Sequence, residues 1–210
     1  MVTIKLMIPK VRFVYAPIYD MVMLELGTGL KRYDAKVFGK ISKLVWDNNR
    51  IIAKRRYASK LQRHWDMIDK KVLSAMAAVS HLRWKDDSIK CYIMDSVQSF
   101  SDPMTIRASG NLENDIESAI HELGHSLETQ NLDRMRWDKY YRTFKGEIID
   151  VKHHILLHAI LKLTYLRAFG PVTTRRYIEM YKDMPRAYTR AWEIVEQYGA
   201  ENLVRDFIKK

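Results

Sequence analysis

The stretch from Asn111 to Gln130 constrains the fold of this 210-residue chain more than any other. Ile116, Ala119, Ile120, Leu123 and Leu127 recur at the spacing of one helical face, which predicts a helix over about 113–130 anchored in a core. Asn111 and Asn114 are helix-capping residues, and Glu117 follows Asn114 by three, as in a capping box. Within this helix stands His121-Glu122-Leu123-Gly124-His125. A helix turns once per about 3.6 residues, so His121 and His125 project from one side, one turn apart. Gly124 weakens a helix interior, and its presence predicts the close approach of another segment.

The five residues match the pattern H-E-x-x-H. By the frequencies of His and Glu in this chain, the match is roughly a 1-in-100 chance event. Two neutral imidazoles one turn apart can grip one Zn²⁺. Glu122 beside them is placed to take a proton from water activated by the metal. The plainer reading is an amphipathic helix carrying two polar histidines.

At these residues the chain resembles the zincin metallopeptidases. The metzincin branch continues H-x-x-G-x-x-H, whereas here Glu128 and Asn131 stand at those places. The gluzincin branch takes a glutamate from a downstream helix, and Glu147 lies 22 positions after His125. The resemblance makes Glu147 the leading third ligand and gives Asp150 the task of orienting a zinc-binding histidine. Gly146-x-x-x-Asp150 also resembles the aspzincin arrangement, with Asp150 as the ligand. His154 and His158 share a helix face with Glu147 and Asp150, and either could bind the metal, stabilise an oxyanion or do neither. Tyr140, Tyr141 and His153 are further candidates for the oxyanion donor. The resemblance spans about residues 88–170. It implies a zinc metallopeptidase that hydrolyses a peptide or protein substrate, with His121, His125 and Glu147 on the metal and Glu122 as general base. It also implies a strand along the cleft to which a peptide can add, with 89–97 as that strand or its neighbour.

Charge is unevenly distributed. Residues 31–90 hold 16 Lys and Arg against 6 Asp and Glu, and so carry almost all of the net charge of +11. Lys54, Arg55, Arg56, Lys60 and Arg63 form the densest run, with Trp46, Tyr57, Trp65 and Trp84 interleaved. Such a face can attract nucleic acid or an acidic partner. The plainer expectation is a solvated helix face with its aromatics turned inward. Two function classes therefore accompany the peptidase reading. One is a basic nucleic-acid- or partner-binding protein with a structural or inactive zinc site. The other is a regulatory peptidase that cuts a single partner.

The single cysteine, Cys91, excludes an internal disulfide and favours a reducing, cytoplasmic setting. It sits in an apolar run and is expected in a buried strand. The N-terminus does not read as a signal peptide, and residues 18–26 are too short an apolar run to span a bilayer, so a soluble protein is expected.

The expected fold is α+β, mostly helical, with a zincin-like core whose small sheet packs on the active-site helix, plus flanking helices. Residues 2–15 read as an extended strand pair, and Gly27-Thr28-Gly29 as a turn. Residues 35–83 read as helical with a break at Asn48-Asn49, 89–97 as a strand, and 99–110 as a loop. A loop or short helix covers 131–146, and a helix over 147–169 stops at Gly170-Pro171. Two helices cover about 173–183 and 186–208. The expected division is a basic N-terminal region over 1–87 for docking or as a pro-segment, a catalytic core over 88–170, and C-terminal helices over 171–210.

Overall fold

A computed structural model describes residues 7–27, 35–95, 98–181 and 184–209. The fold is α+β and mostly helical, with a small four-stranded mixed sheet. The chain forms two compact units. One comprises Pro9–Asp69 and Ser88–Leu123; the other comprises Met1–Ile8, Lys70–Asp87 and Gly124–Lys210.

The first unit holds the sheet, in the order β1-β2-β4-β3. Strand β1 (Lys10–Val14) turns Val11 and Phe13 inward and Lys10 and Arg12 outward, as a period of two requires. It pairs in parallel with β2 (Ser88–Met94), which pairs in parallel with β4 (Met104–Arg107). Strand β3 (Phe100–Ser101) closes antiparallel onto β4. Residues 99–110 are therefore largely a hairpin, not a loop. Its strands are too short for an alternating pattern to stand out from the turn at Asp102-Pro103. The strand expected over 89–97 is β2; residues 96–97 lie outside the described residues, as do 2–6, 28–29 and 182–183 of other expected elements. Being interior, β2 has no edge to offer an added peptide. The outer edge of β1 is occupied by one side-chain amide: Phe13 N–H donates to Gln62 Oε1 at 2.9 Å, and Gln62 Nε2 donates to the Val11 carbonyl at 3.1 Å.

Three helices of this unit are α1 (Pro17–Gly27), α2 (Ala35–Val45) and α3 (Asn48–Trp65). Helix α3 starts where the break was expected, because Asp47 accepts a hydrogen bond from Arg50 N–H at 2.8 Å and caps it. The basic residues of α3 divide between two environments. Arg55, Arg56, Lys60 and Arg63 are exposed. Arg50 and Lys54 turn inward to Asp95, and Arg50 also reaches the buried Asp20 at 2.7 Å. Of the interleaved aromatics, Trp65 and Trp84 are buried and Trp46 is about half exposed.

In the second unit, α4 (Asp69–Ser80) precedes the helices α6 (Trp137–Thr143), α7 (Ile149–Phe169), α8 (Pro171–Met180), α9 (Arg186–Tyr198) and α10 (Ala200–Phe207). Helix α7 is buried on nearly every side and packs against α8, α9 and α10. It stops at Gly170, whose φ of 81° suits glycine, and Pro171 opens α8. The single helix expected over 186–208 is two, because Gly199 at φ 82° ends α9 and starts α10.

Helix α5 spans Leu112–Gln130; its residues up to Leu123 are counted with the first unit and those from Gly124 with the second. Its cap is Asn111 alone: Asn111 Oδ1 accepts from Glu113 N–H at 2.9 Å and Asn114 N–H at 3.2 Å. Asn114 thus lies inside the helix and forms no capping box with Glu117. Asp115 is 1 % exposed and accepts from Ser109 N–H at 2.9 Å, Ser109 Oγ at 2.6 Å and Tyr57 Oη at 2.5 Å. At the other end, Asn131 Nδ2 donates to the carbonyls of Leu127 and Arg83, each at 2.8 Å. Asp115→Ala strands the Tyr57 hydroxyl and the Ser109 donors. We expect it to cost about 3 kcal/mol, and Tyr57→Phe about 1 kcal/mol, both read from urea midpoints at unchanged slope.

Candidate metal centre

The centre of α5 carries the H-E-x-x-H residues. His121 and Glu122 are each 6 % exposed, and Leu123 is fully buried. The helical spacing that placed both imidazoles on one side is realised, and a third joins them. Ligand atoms of His121, His125 and His154 all lie within 4.8 Å of one another, so the cluster can hold a metal ion. His154 comes from the second turn of α7, and its ring lies 5.3 Å from that of His125.

The glycine between the paired histidines marks one contact between the helices that carry His125 and His154. A Cβ on Gly124 would stand 2.4 Å from Leu157 Cδ1 and 3.5 Å from Leu161 Cδ2. Both leucines are fully buried on α7. The bare backbone of Gly124 lets α7 approach there, and His154 lies three residues before Leu157 along α7, on the side of contact. The close approach expected from the sequence is thus present, and α7 is the segment that makes it.

The state of His154 suits a ligand. Its Nδ1 lies 2.6 Å from the Asp150 carbonyl oxygen. A carbonyl only accepts, so Nδ1 carries the proton and Nε2 keeps its lone pair for a metal. Burial lowers its pKa to about 4, with the Asp150 carbonyl opposing and the nearby His125 and His153 reinforcing. The ring is therefore neutral near pH 7. Asp150 acts on this histidine through its main chain, a service that any residue type can provide.

Glu147, the leading third ligand by resemblance, is placed differently. It lies in the bend before α7, which begins at Ile149. Its Oε1 accepts from Arg190 Nη2 at 2.8 Å and Arg190 Nε at 3.2 Å. That pairing across 43 positions leaves no trace in local sequence pattern. His158, one turn beyond His154, is wholly buried and stacks on Trp192 with ring centres 4.6 Å apart and planes at 16°. His153 is exposed. Tyr140 donates to the Lys152 carbonyl at 2.5 Å, and Tyr141 lies against Trp137.

Two neighbours of the cluster escaped the sequence. Tyr188 on α9 lays its ring 4.1 Å from that of His154. Glu128, noted only as a break in the metzincin pattern, is 8 % exposed and brings Oε2 to 3.7 Å from His125 Nδ1. Burial raises its pKa, with His125 opposing. Its place three residues after His125 was a usable signal, because that spacing is contact distance on a helix. Cys91 is fully buried on β2, and burial pushes its thiol pKa well up, as expected of a strand residue. Among the described residues no helix is long and apolar enough to cross a membrane.

In comparison with known proteins, no family model, curated protein or solved structure matches this chain.

Two outcomes follow from the cluster. His154→Ala is expected to weaken metal-ion binding, measured by chelator competition, by at least about tenfold, whereas Glu147→Gln is expected to leave it within about twofold. Gly124→Val forces Leu157 out of place, costs about 3 kcal/mol of stability and lowers metal affinity in parallel.

Proposed function

We propose that the chain is a zinc-dependent hydrolase of peptide bonds, with His121, His125 and His154 holding the ion and Glu122 acting as general base. The observation that carries this reading is the convergence of His154 from α7 on the H-E-x-x-H histidines of α5, all within 4.8 Å. The donor set fits zinc. Three neutral nitrogen ligands are a common catalytic complement, and they leave a position for an exchangeable group. The resemblance to zincins agrees with this reading in its first two ligands and in the base. For the third ligand the geometry favours the histidine alternative over Glu147.

When bound, the ion supplies Lewis acidity that brings the pKa of water towards neutrality. The protein supplies the remaining requirements. Glu122 follows His121 directly on a continuous helix, so its carboxylate is carried by the same rigid element as two of the ligands. It takes the proton of the attacking water and returns it to the leaving amine nitrogen. Burial of Glu122 and His121 keeps competing solvent away from this exchange. The Asp150 carbonyl keeps His154 in the tautomer that can bind metal.

A second reading has its own observation. The exposed Arg55, Arg56, Lys60 and Arg63 on α3 form a basic face suited to an acidic partner or nucleic acid. Of the interleaved aromatics, Trp65 and Trp84 are buried and the Tyr57 hydroxyl is committed to Asp115, while Trp46 is about half exposed. This favours phosphate or carboxylate contacts over base stacking. Such a face is compatible with a peptidase that docks one partner before cutting it.

The test is cleavage of a mixed peptide library. Wild-type protein with Zn²⁺ is expected to cut, a chelator to stop it, and added Zn²⁺ to restore it. Glu122→Gln should keep the zinc and lose at least about 10²-fold in rate. Cleavage by Glu122→Gln at the wild-type rate overturns the mechanism.

A further inference from the structure

We infer that Glu128 is a positioning residue for His125, holding its Nδ1–H so that Nε2 is the nitrogen offered to the metal. The inference rests on the metal site proposed above and adds a residue that the H-E-x-x-H pattern does not contain.

Three observations converge. Glu128 lies three residues after His125 on α5, so the two side chains are neighbours on one helix face. Its side chain is 11 % exposed, and that of His125 is 23 % exposed. A carboxylate so far removed from water is costly unless a cation or a donor faces it. His125 Nδ1 faces it, 3.7 Å from Oε2, and His153 adds a weaker favourable interaction.

That distance is longer than a hydrogen bond, and its chemistry explains why metal would shorten it. A cation on Nε2 draws electron density from the ring and makes Nδ1–H a stronger donor. The carboxylate then closes on it, and the negative charge in turn raises the donor strength of Nε2. His154 receives the same service from the Asp150 carbonyl. The two ligands therefore have their Nδ1 atoms held by different means, one by main chain and one by a replaceable side chain. Only the second can be tested by substitution.

The test uses Co²⁺ as the probe, titrated against a competing chelator into the metal-free full chain. Wild type, Glu128→Gln and His125→Ala are compared by affinity and by the ligand-field absorption of the bound ion. Glu128→Gln nearly preserves shape and removes a buried charge, so its melting temperature should stay within a few degrees of wild type. We expect its Co²⁺ affinity to fall by about 10- to 100-fold and its absorption bands to shift, while His125→Ala loses the site. Unchanged affinity and spectrum in Glu128→Gln, with the site lost in His125→Ala, overturn the role of Glu128 and leave the metal site standing. Failure of the wild type to bind Co²⁺ overturns the site and the inference together. If Glu128→Gln does not fold, NMR of zinc-loaded wild type decides. A strongly deshielded His125 Nδ1–H, split by ¹⁵N, supports the inference, and its absence overturns it.

Discussion

The contact between Gly124 and Leu157 is the constraint on which the candidate site depends. Helices whose facing positions carry side chains keep their axes about 8–10 Å apart. At Gly124 the missing Cβ removes that spacer, and the Leu157 methyl fills the room a side chain would need. His125 is the next residue on α5, and His154 lies one turn before Leu157 on α7. The imidazoles flank this contact. A glycine weakens its helix by about 1 kcal/mol relative to alanine, and at this position a Cβ would collide with Leu157.

The polar groups at this crossing lie on an otherwise apolar helix, and each histidine of α7 is accommodated in its own way. His153 points to solvent. His154 bonds the carbonyl of Asp150 and stays neutral down to about pH 4 because its charged form would lose hydration. His158 is enclosed by Trp192, Tyr181 and Tyr188, where aromatic faces replace water. The desolvation that makes a histidine costly in a core is therefore what keeps His154 in the form a metal requires.

Much of this was legible from local pattern and some was not, and the division follows the range of the interactions. Helix α5, its cap at Asn111 and the end of α7 at Gly170 rest on contacts within a turn or two, or on a single backbone angle, and could be read directly. Gly124 could be singled out only because a glycine is costly inside a helix. The hairpin of β3 and β4 was hidden because strands of two and four residues are too short to show a period. The placement of Glu147 was hidden because Arg190 lies on a helix far along the chain. Of the histidine cluster, the pair on α5 follows from helical geometry, and His154 stood among the alternatives for the third position, because choosing it depends on which face of α7 meets α5. Family resemblance favoured a carboxylate there, and the position of Arg190 gives that carboxylate another partner.

Helix α5 is fixed at both ends by groups within its own chain neighbourhood and at long range. Near its start, the buried Asp115 carboxylate gathers Ser109 and Tyr57. At its end, Asn131 and Gln130 bond the main chain of residues 83–86. The H-E-x-x-H residues lie between these anchors, where a helix frays least. Glu122 and two histidines of the cluster on one such element keep their relative positions to within the stiffness of the helix itself. The third histidine is different, since its distance from the pair is set by side-chain packing across Gly124. Strain or substitution in the core should therefore act first on the His125–His154 separation and only later on the geometry of Glu122 against its flanking histidines. On the proposed site, the α5–α7 contact is therefore where substitutions would change metal affinity first.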